Sequence, residues 1–377
     1  MKFPRFYQNL DKYLKPNKVL VIYGARQVGK TTLLNNYLSK TSLKYKLDSG
    51  DNIKTQNVLS SGDFKRISEY AAGYELIAID EAQRIPNIGQ GLKILADQIK
   101  GLKIIATGSS SFELSGQIGE PLTGRKETLI LFPLSQLELR KIYNSYELKE
   151  MLEDFLVFGS YPAVLSSQSK KEKVRLLEEI ANSYLLKDIF ELEKIRASKI
   201  LLDLLRLLAF QIGSEVSFSE LGEKTGLDSK TIARYLDLLE KSFVIYNLRG
   251  FSKNLRKEIT KKGKYYFYDN GIRNAIISNF NPLKERNDIG QLWENFLISE
   301  RLKTQHYKEI YANNYFWRTW DQKEIDWIEE REGKLFAYEF KFKETKIPKS
   351  FKEFQAVYPE AKTEIISQEN YLKFLMP

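Results

Sequence analysis

The stretch Val19-Leu20-Val21-Ile22-Tyr23-Gly24-Ala25-Arg26-Gln27-Val28-Gly29-Lys30-Thr31-Thr32 decides the architecture of the first third of the chain. Its first five residues are apolar and rich in β-branched side chains, the pattern of a strand buried on both faces. Gly24 to Thr31 then fit G-x-x-x-x-G-K-[ST] at every position. A loop of this kind, between a strand and a helix expected over Thr32 to Leu38, wraps a polyphosphate. Its glycines free the backbone, and its amide groups and the helix N-terminus supply a positive field. Contact with ATP is therefore assigned to Gly24, Ala25, Arg26, Gln27, Val28, Gly29, Lys30, Thr31 and Thr32. Lys30 is expected at the β- and γ-phosphates and the Thr31 hydroxyl on Mg2+.

Further along the chain, Leu76-Ile77-Ala78-Ile79 reads as a second buried strand, and it ends in Asp80-Glu81. Asp80 is expected to hold magnesium, directly or through water, and Glu81 to orient or deprotonate the attacking water. A third strand, Leu102 to Thr107, runs into Gly108-Ser109-Ser110-Ser111. Ser109 is the favoured hydroxyl for the γ-phosphate or the water, with Thr107 second; a plain serine-rich turn would carry the same letters. Leu122-Thr123-Gly124-Arg125 offers a guanidinium for charge developing on the phosphoryl group, although an ordinary surface arginine looks the same. Apolar strands alternating with helices predict an α/β fold with a parallel sheet.

The composition narrows the chemistry. The 377 residues suggest two to four domains. No apolar run reaches the ~20 residues of a membrane span, and no apolar signal core follows Met1, so a cytoplasmic protein with no membrane contact is expected. There is no cysteine and a single histidine, His306. Disulfide frameworks, thiolate metal sites and paired-histidine chemistry are thereby set aside. The net charge of +10 favours polyanions such as DNA, and equally describes a lysine-rich solvated surface.

Helical periodicity runs from Leu134 to about Leu208, with helices expected over Leu148 to Phe158 and Lys171 to Leu192. Ser217 to Gly222, a turn at Gly226-Leu227-Asp228, and Ser229 to Leu236 form a helix-turn-helix pattern with Lys230, Arg234 and Asp237 outside. Arg249 to Lys264 holds seven basic residues (Arg249, Lys253, Arg256, Lys257, Lys261, Lys262, Lys264) against Glu258, a local charge of +6. Such a wing suits a phosphate backbone; a packing module or a protein contact is the competing use. A helix is expected over Gln291 to Lys303, followed by aromatic strands. Within these, Glu339 and Lys341 share one face of a strand, and Asp326 joins them if its strand is a neighbour. Two carboxylates can bind magnesium for phosphodiester cleavage, with Lys341 placing the water. An alternating strand with a solvated charged face reads the same way.

Taken together, these motifs resemble those of the bacterial and archaeal AAA-type ATPases that end in a domain related to the PD-(D/E)XK nucleases. The resemblance covers nearly the whole chain. It rests on G-A-R-Q-V-G-K-T-T-L-L, L-I-A-I-D-E-A-Q-R-I-P, A-T-G-S-S-S, and L-T-G-R followed by L-F-P-L-S. Later matches are G-S-Y-P (Gly159 to Pro162), Y-L-L-K-D-I (Tyr184 to Ile189), K-Y-Y-F-Y-D-N-G-I and W-E-N-F. Ser160 stands where the family has a second glycine, which leaves open any role needing bare backbone there. The resemblance implies a P-loop ATPase core over 1–135, a helical lid over 136–205, a winged helix over 206–285 and a nuclease-like domain over 286–377. It implies Asp326, Glu339 and Lys341 as the nuclease motif, with Glu294 of W-E-N-F completing a metal set of Glu294, Asp326 and Glu339. It also strengthens the role for Arg125, which would act within one subunit or across a homo-oligomer. The expected function is an ATPase coupled to DNA; the rival is a signalling or scaffolding switch that binds protein partners.

Overall fold

The computed structural model describes residues 3–109, 121–184, 198–251, 263–319, 321–343 and 347–376. Ser110, Ser111, Lys253, Arg256, Lys257, Glu258, Lys261, Lys262 and nearly all of Y-L-L-K-D-I lie outside these residues.

The opening strand is β1, Val19–Tyr23, and all five of its residues are buried. Because side chains alternate along a strand, the run feeds two cores. Leu20 and Ile22 pack with Leu33, Leu34, Leu76, Ala78 and Ile105. Val19, Val21 and Tyr23 pack with Ile77, Ile79, Leu92, Leu95, Ile104 and Ala106. Four further strands complete a parallel sheet: β2 (Tyr45–Ser49), β3 (Leu76–Asp80), β4 (Lys103–Gly108) and β5 (Lys126–Ile130), in the order β2-β3-β4-β1-β5. Its helices are α1 (Lys30–Leu38), α2 (Ile53–Leu59), α3 (Phe64–Ala71) and α4 (Ile88–Gln98). The register sets Tyr23 beside Gly108 and Ile79 beside Ala106. The ends of β1, β3 and β4 thus meet at one edge of the sheet.

Helices follow: α5 (Gln136–Leu139), α6 (Ser145–Glu150), α7 (Leu152–Phe158), α8 (Pro162–Ser166) and α9 (Lys170–Glu179). The helix expected over Leu148 to Phe158 is split at Met151, where two short helices abut. Next come α10 (Ser198–Phe210), α11 (Phe218–Thr225), α12 (Ser229–Lys241) and an antiparallel pair, β6 (Ile245–Gly250) and β7 (Lys264–Phe267). Asp228 caps α12 by accepting from the amides of Lys230 and Thr231 at 2.9 and 3.0 Å.

After α13 (Asn270–Ile276), α14 runs from Ile289 to Tyr307, four residues beyond the expected end at Lys303. Its last turn looks too polar for a core. It persists because Thr304 donates to the Leu375 carbonyl at 2.8 Å and the Tyr307 ring packs on Phe6, Tyr7 and Phe132. Helix α14 is enclosed on nearly every side, so its buried charges need partners. Arg301 pairs with Glu329 at 2.5 Å, and Lys303 with Glu300 at 2.7 Å.

The chain closes with β8 (Asn313–Arg318), β9 (Glu324–Arg331), β10 (Lys334–Phe340), α15 (Lys349–Val357), β11 (Lys362–Ile366) and α16 (Tyr371–Leu375). These strands and the earlier pair form one sheet, β11-β10-β9-β8-β6-β7, in which β6 joins β8 in parallel at Arg249–Tyr315 and Gly250–Phe316. A single sheet therefore draws strands from both sides of residue 285.

Candidate functional site

The nucleotide loop sits at the edge where β1, β3 and β4 end. Gly24 (φ +150°) and Gly29 (φ +99°) hold conformations that L side chains rarely adopt. At Gly24 a Cβ would also stand 2.1 Å from the Leu131 carbonyl oxygen. Gly29 caps α1, so Lys30, Thr31 and Thr32 form its first turn. Lys30 is buried, and its ammonium donates to the Gly24 and Ala25 carbonyls at 3.0 and 2.8 Å. Thr31 Oγ1 donates to Asp80 Oδ2 at 2.9 Å, and Thr107 Oγ1 donates to Asp80 Oδ1. Two neutral hydroxyls thus hold one carboxylate beside the loop, an oxygen set suited to magnesium.

Glu81 follows with φ +50°, a left-handed conformation costing about 1–2 kcal/mol for a non-glycine residue. Gly50 makes the turn possible, since a Cβ there would meet the Glu81 carbonyl oxygen at 2.1 Å. Gln83 Nε2 donates to Glu81 Oε2 at 2.6 Å and fixes the carboxylate. Glu81, the loop from Arg26 to Leu33, and Phe3, Pro4, Ile142 and Pro162 line one cleft of about 1040 Å³. Ser109 lies at the same sheet edge and is buried, whereas the bond to Asp80 is made by Thr107.

Arg125 is elsewhere. Its carbonyl accepts from the Val19 amide at 2.8 Å, at the start of β1, while the loop begins after Tyr23. Five residues at ~3.3 Å each put it about 16 Å away, at the opposite edge of the sheet. There Arg125 Nε pairs with Asp97 at 2.6 Å.

Arg5 belongs to none of the motifs, yet it is buried behind the loop. Its Nη1 donates to the Val28 carbonyl at 2.7 Å, Nη2 to the Phe132 carbonyl at 2.7 Å, and Nε to Glu138 at 2.9 Å. Glu138 also caps α5 through Ser135, and the Gln136 amide of α5 donates to Glu300 of α14 at 2.6 Å. The one available signal was an arginine inside the apolar Phe3-Pro4-Arg5-Phe6-Tyr7.

The later motifs explain one another. Asp269 of K-Y-Y-F-Y-D-N-G-I accepts from the Ser160 amide at 2.7 Å and from its hydroxyl at 3.3 Å. The bare backbone that G-S-Y-P requires is at Gly159, where a Cβ would stand 2.0 Å from Asp269 Oδ1. A hydroxyl at 160 is accommodated. Asn295 of W-E-N-F accepts from the Phe267 amide at 2.6 Å and donates to the Phe267 carbonyl at 3.0 Å.

A second acidic cluster lies where β9 and β10 meet β7 and α14. Strands β9 and β10 are antiparallel neighbours, with Trp327 opposite Tyr338. Asp326 and Glu339 therefore fall side by side, and Asp326 Oδ2 accepts from the Phe340 amide at 2.7 Å. Lys341 pairs with Glu339 at 2.7 Å. Glu294 of α14 accepts from the Tyr266 hydroxyl at 2.5 Å, and Lys264 pairs with Glu324. Burial, then the nearby Asp326 charge, push Glu294 up to about 8 and Glu339 up to about 7. Burial raises Asp326 as well, against the opposing charge of Lys264. Burial alone would lower Lys264, but Glu294, Glu324 and Asp326 outweigh it and leave it raised. Among the described residues, no group of three His, Cys, Asp or Glu side chains is arranged to hold a metal ion. In the sequence Lys264 counted toward an outward-facing basic wing; it is 1% exposed and faces the acids. Arg249 is exposed as expected.

Residues 16–140 match the family model of an AAA domain, and this match supports an AAA-type P-loop ATPase assignment for the nucleotide body. Residues 149–283 and 289–372 match two domains of unknown function, DUF8612 and DUF4143. An uncharacterized protein of Mycobacterium tuberculosis is 27% identical over 337 residues, covering 88% of this chain and 72% of that protein. An uncharacterized protein of Methanocaldococcus jannaschii is 24% identical over 383 residues, covering 96% and 83%. Among solved structures, a Walker-type ATPase of Pyrococcus abyssi is 20% identical, covering 69% of this chain and 91% of that one, with a TM-score of 0.44.

Proposed function

We propose that the chain binds ATP with magnesium, hydrolyses it, and uses the nucleotide state to reposition a DNA-contacting unit. The observation that carries the first part is Asp80 held by Thr31 and Thr107 at the mouth of the loop. Loop amides and Lys30 bind the phosphates, and Thr31 and Asp80 would hold the magnesium. When bound, that ion neutralises charge on the β- and γ-phosphates. Glu81, fixed by Gln83, takes a proton from water as the water oxygen attacks the γ-phosphorus and ADP leaves. Ser109 follows Gly108, which the register sets beside Tyr23, and its proposed part is to assist at the phosphate edge. Arg125 would have to serve the cleft of a second copy, so a finger role requires a homo-oligomer.

The second part rests on one buried path. Val28 of the loop is tied through Arg5 to Glu138, and α5 is tied to Glu300 of α14, the helix that carries Glu294. Helices α11 and α12 with strands β6 and β7 are read as a winged helix, with Lys230 and Arg234 exposed on α12. The net charge of +10 favours a polyanion, DNA among them.

The test is Glu81→Gln. It should retain ATP and lose turnover; wild-type turnover would remove Glu81 from the reaction. For DNA, Lys257, Lys261 and Lys262 changed to Gln should flatten the salt dependence of binding by up to ~0.9 per lost phosphate contact. An unchanged slope would move the contact off this stretch.

A further inference from the structure

The family resemblance implies a divalent ion on Glu294, Asp326 and Glu339. The residues around these acids do not fit one. A divalent site needs free carboxylate oxygens converging on one point. Here one oxygen of each acid is already engaged. Lys341 sits on Glu339 Oε1 at 2.7 Å, the Tyr266 hydroxyl on Glu294 Oε1 at 2.5 Å, and the Phe340 amide on Asp326 Oδ2 at 2.7 Å. Of the remaining oxygens, Glu339 Oε2 is buried without a hydrogen-bond partner, and what opposes a divalent ion is the ammonium already buried beside these acids.

Lys264 is the unusual member. It opens β7, and with 1% exposure its ammonium has no access to water. It pairs with Glu324 of β9 and stands over the Phe316 ring of β8 at 5.1 Å. A fully buried ammonium persists only where carboxylate charge compensates it; Glu324 is in direct contact, and Glu294 and Asp326 add negative charge nearby.

We infer that Lys264 is the resident cation of this pocket, balancing Glu294, Glu324 and Asp326 in place of a divalent metal. The C-terminal unit then has no metal-activated water and does not cut phosphodiesters. The acids instead pin the first residue of β7, and with it one end of the basic Arg249–Lys264 stretch, against the C-terminal sheet. The inference concerns this pocket alone and stands whether or not ATP is hydrolysed.

Manganese binding, followed by electron paramagnetic resonance on nucleotide-free full-length protein, tests it. Asp326→Asn is compared in each background, so that binding at Asp80 is subtracted. Wild type should show no Asp326-dependent site at millimolar manganese. Lys264→Met should gain one, with affinity at least ~10-fold tighter, because the competing charge is gone. Far-ultraviolet circular dichroism and the denaturant midpoint report folding of each variant. An Asp326-dependent site in wild type overturns the inference, and so does a folded Lys264→Met that gains nothing. If Lys264→Met does not fold, lysine acetylation mapped by mass spectrometry on wild type decides. Lys264 should stay unlabelled with and without manganese; labelling that appears with the metal would mean that the ion displaces it.

Discussion

The two acidic clusters use similar side chains to opposite ends. At the nucleotide cleft, Asp80 is held by Thr31 and Thr107. Hydroxyls fix a carboxylate without cancelling its charge, so Asp80 can still attract a cation. At the C-terminal cluster, Glu324 and Glu339 are held by ammonium groups of Lys264 and Lys341. Ammonium groups fix and neutralise together. Acids at the end of a strand therefore say little about metal until the donors that hold them are known.

The contrast is most exposed at the level of turnover. Glu81→Gln should lower kcat by roughly 10²–10⁴-fold, the usual worth of a general base, while ATP binding, read by a fluorescent analogue, persists. Lys30→Ala should lose the binding itself. Asp326→Asn should leave kcat within about twofold. A large loss in Asp326→Asn would mean that the two clusters act as one site.

Next in size is Arg5→Met. It leaves Glu138 buried without its cation, a loss that typically costs ~3–5 kcal/mol, read as a lower midpoint of denaturant unfolding. Changing Glu138 to Leu in the same chain should restore part of the loss. A full-sized penalty in the double variant would show that the Val28 and Phe132 carbonyl contacts matter more than the ion pair.

The pH dependence is smaller and has a definite sign. Glu294 and Glu339 are raised in the folded chain to about 8 and about 7 from the ordinary glutamate value of 4.5. The folded state therefore binds more protons than the unfolded chain between those limits. Their contribution is fully present below about 4.5 and is lost as pH rises toward 7 and 8, with a slope of at most ~1.4 kcal/mol per pH unit for each group. Glu294→Gln should flatten the decline in urea stability between pH 5 and 8. A decline of unchanged slope would place the titration elsewhere.

Arg125→Ala should do least. The pair with Asp97 is about 40% exposed and worth under ~1 kcal/mol, and the guanidinium is a strand length from its own cleft. Turnover of dilute, monomeric protein should stay within about twofold. A large loss under those conditions would contradict the placement, whereas a loss that appears only at high concentration would identify action between copies.

Much of the nucleotide cleft was legible because its chemistry is local. Gly24 to Thr31 and Ile77 to Glu81 are continuous stretches whose spacing carries their geometry. Arg125 shows the limit. Its motif says that it follows a loop, but only the parallel pairing of β5 with β1, which sets Lys126 beside Val19, says which end of the sheet that loop occupies. Thr107 and Ser109 were separable only once the register put Thr107 against Asp80. For Lys264 the window misled, because six basic neighbours made it look solvated. Strand alternation does set Lys264 and Tyr266 on one face of β7, so the pairing with Glu294 was half written there. Arg5 showed only as an arginine in an apolar run, and its partner could not be read, since Glu138 lies 133 residues away.

Strand β6 carries a practical lesson for anyone who would cut this chain. Gly250 lies alongside Phe316, and the Phe251 amide donates to the Phe316 carbonyl at 2.7 Å. Phe251 also packs with Tyr315, Ile328 and Phe354. A fragment beginning at residue 286 would uncover β8 as a raw sheet edge, with unpaired backbone groups and a greasy notch where Phe251 had been. Such edges recruit other edges, so the fragment should clump when expressed alone. A soluble excision has to begin before Ile245 and carry the hairpin with it.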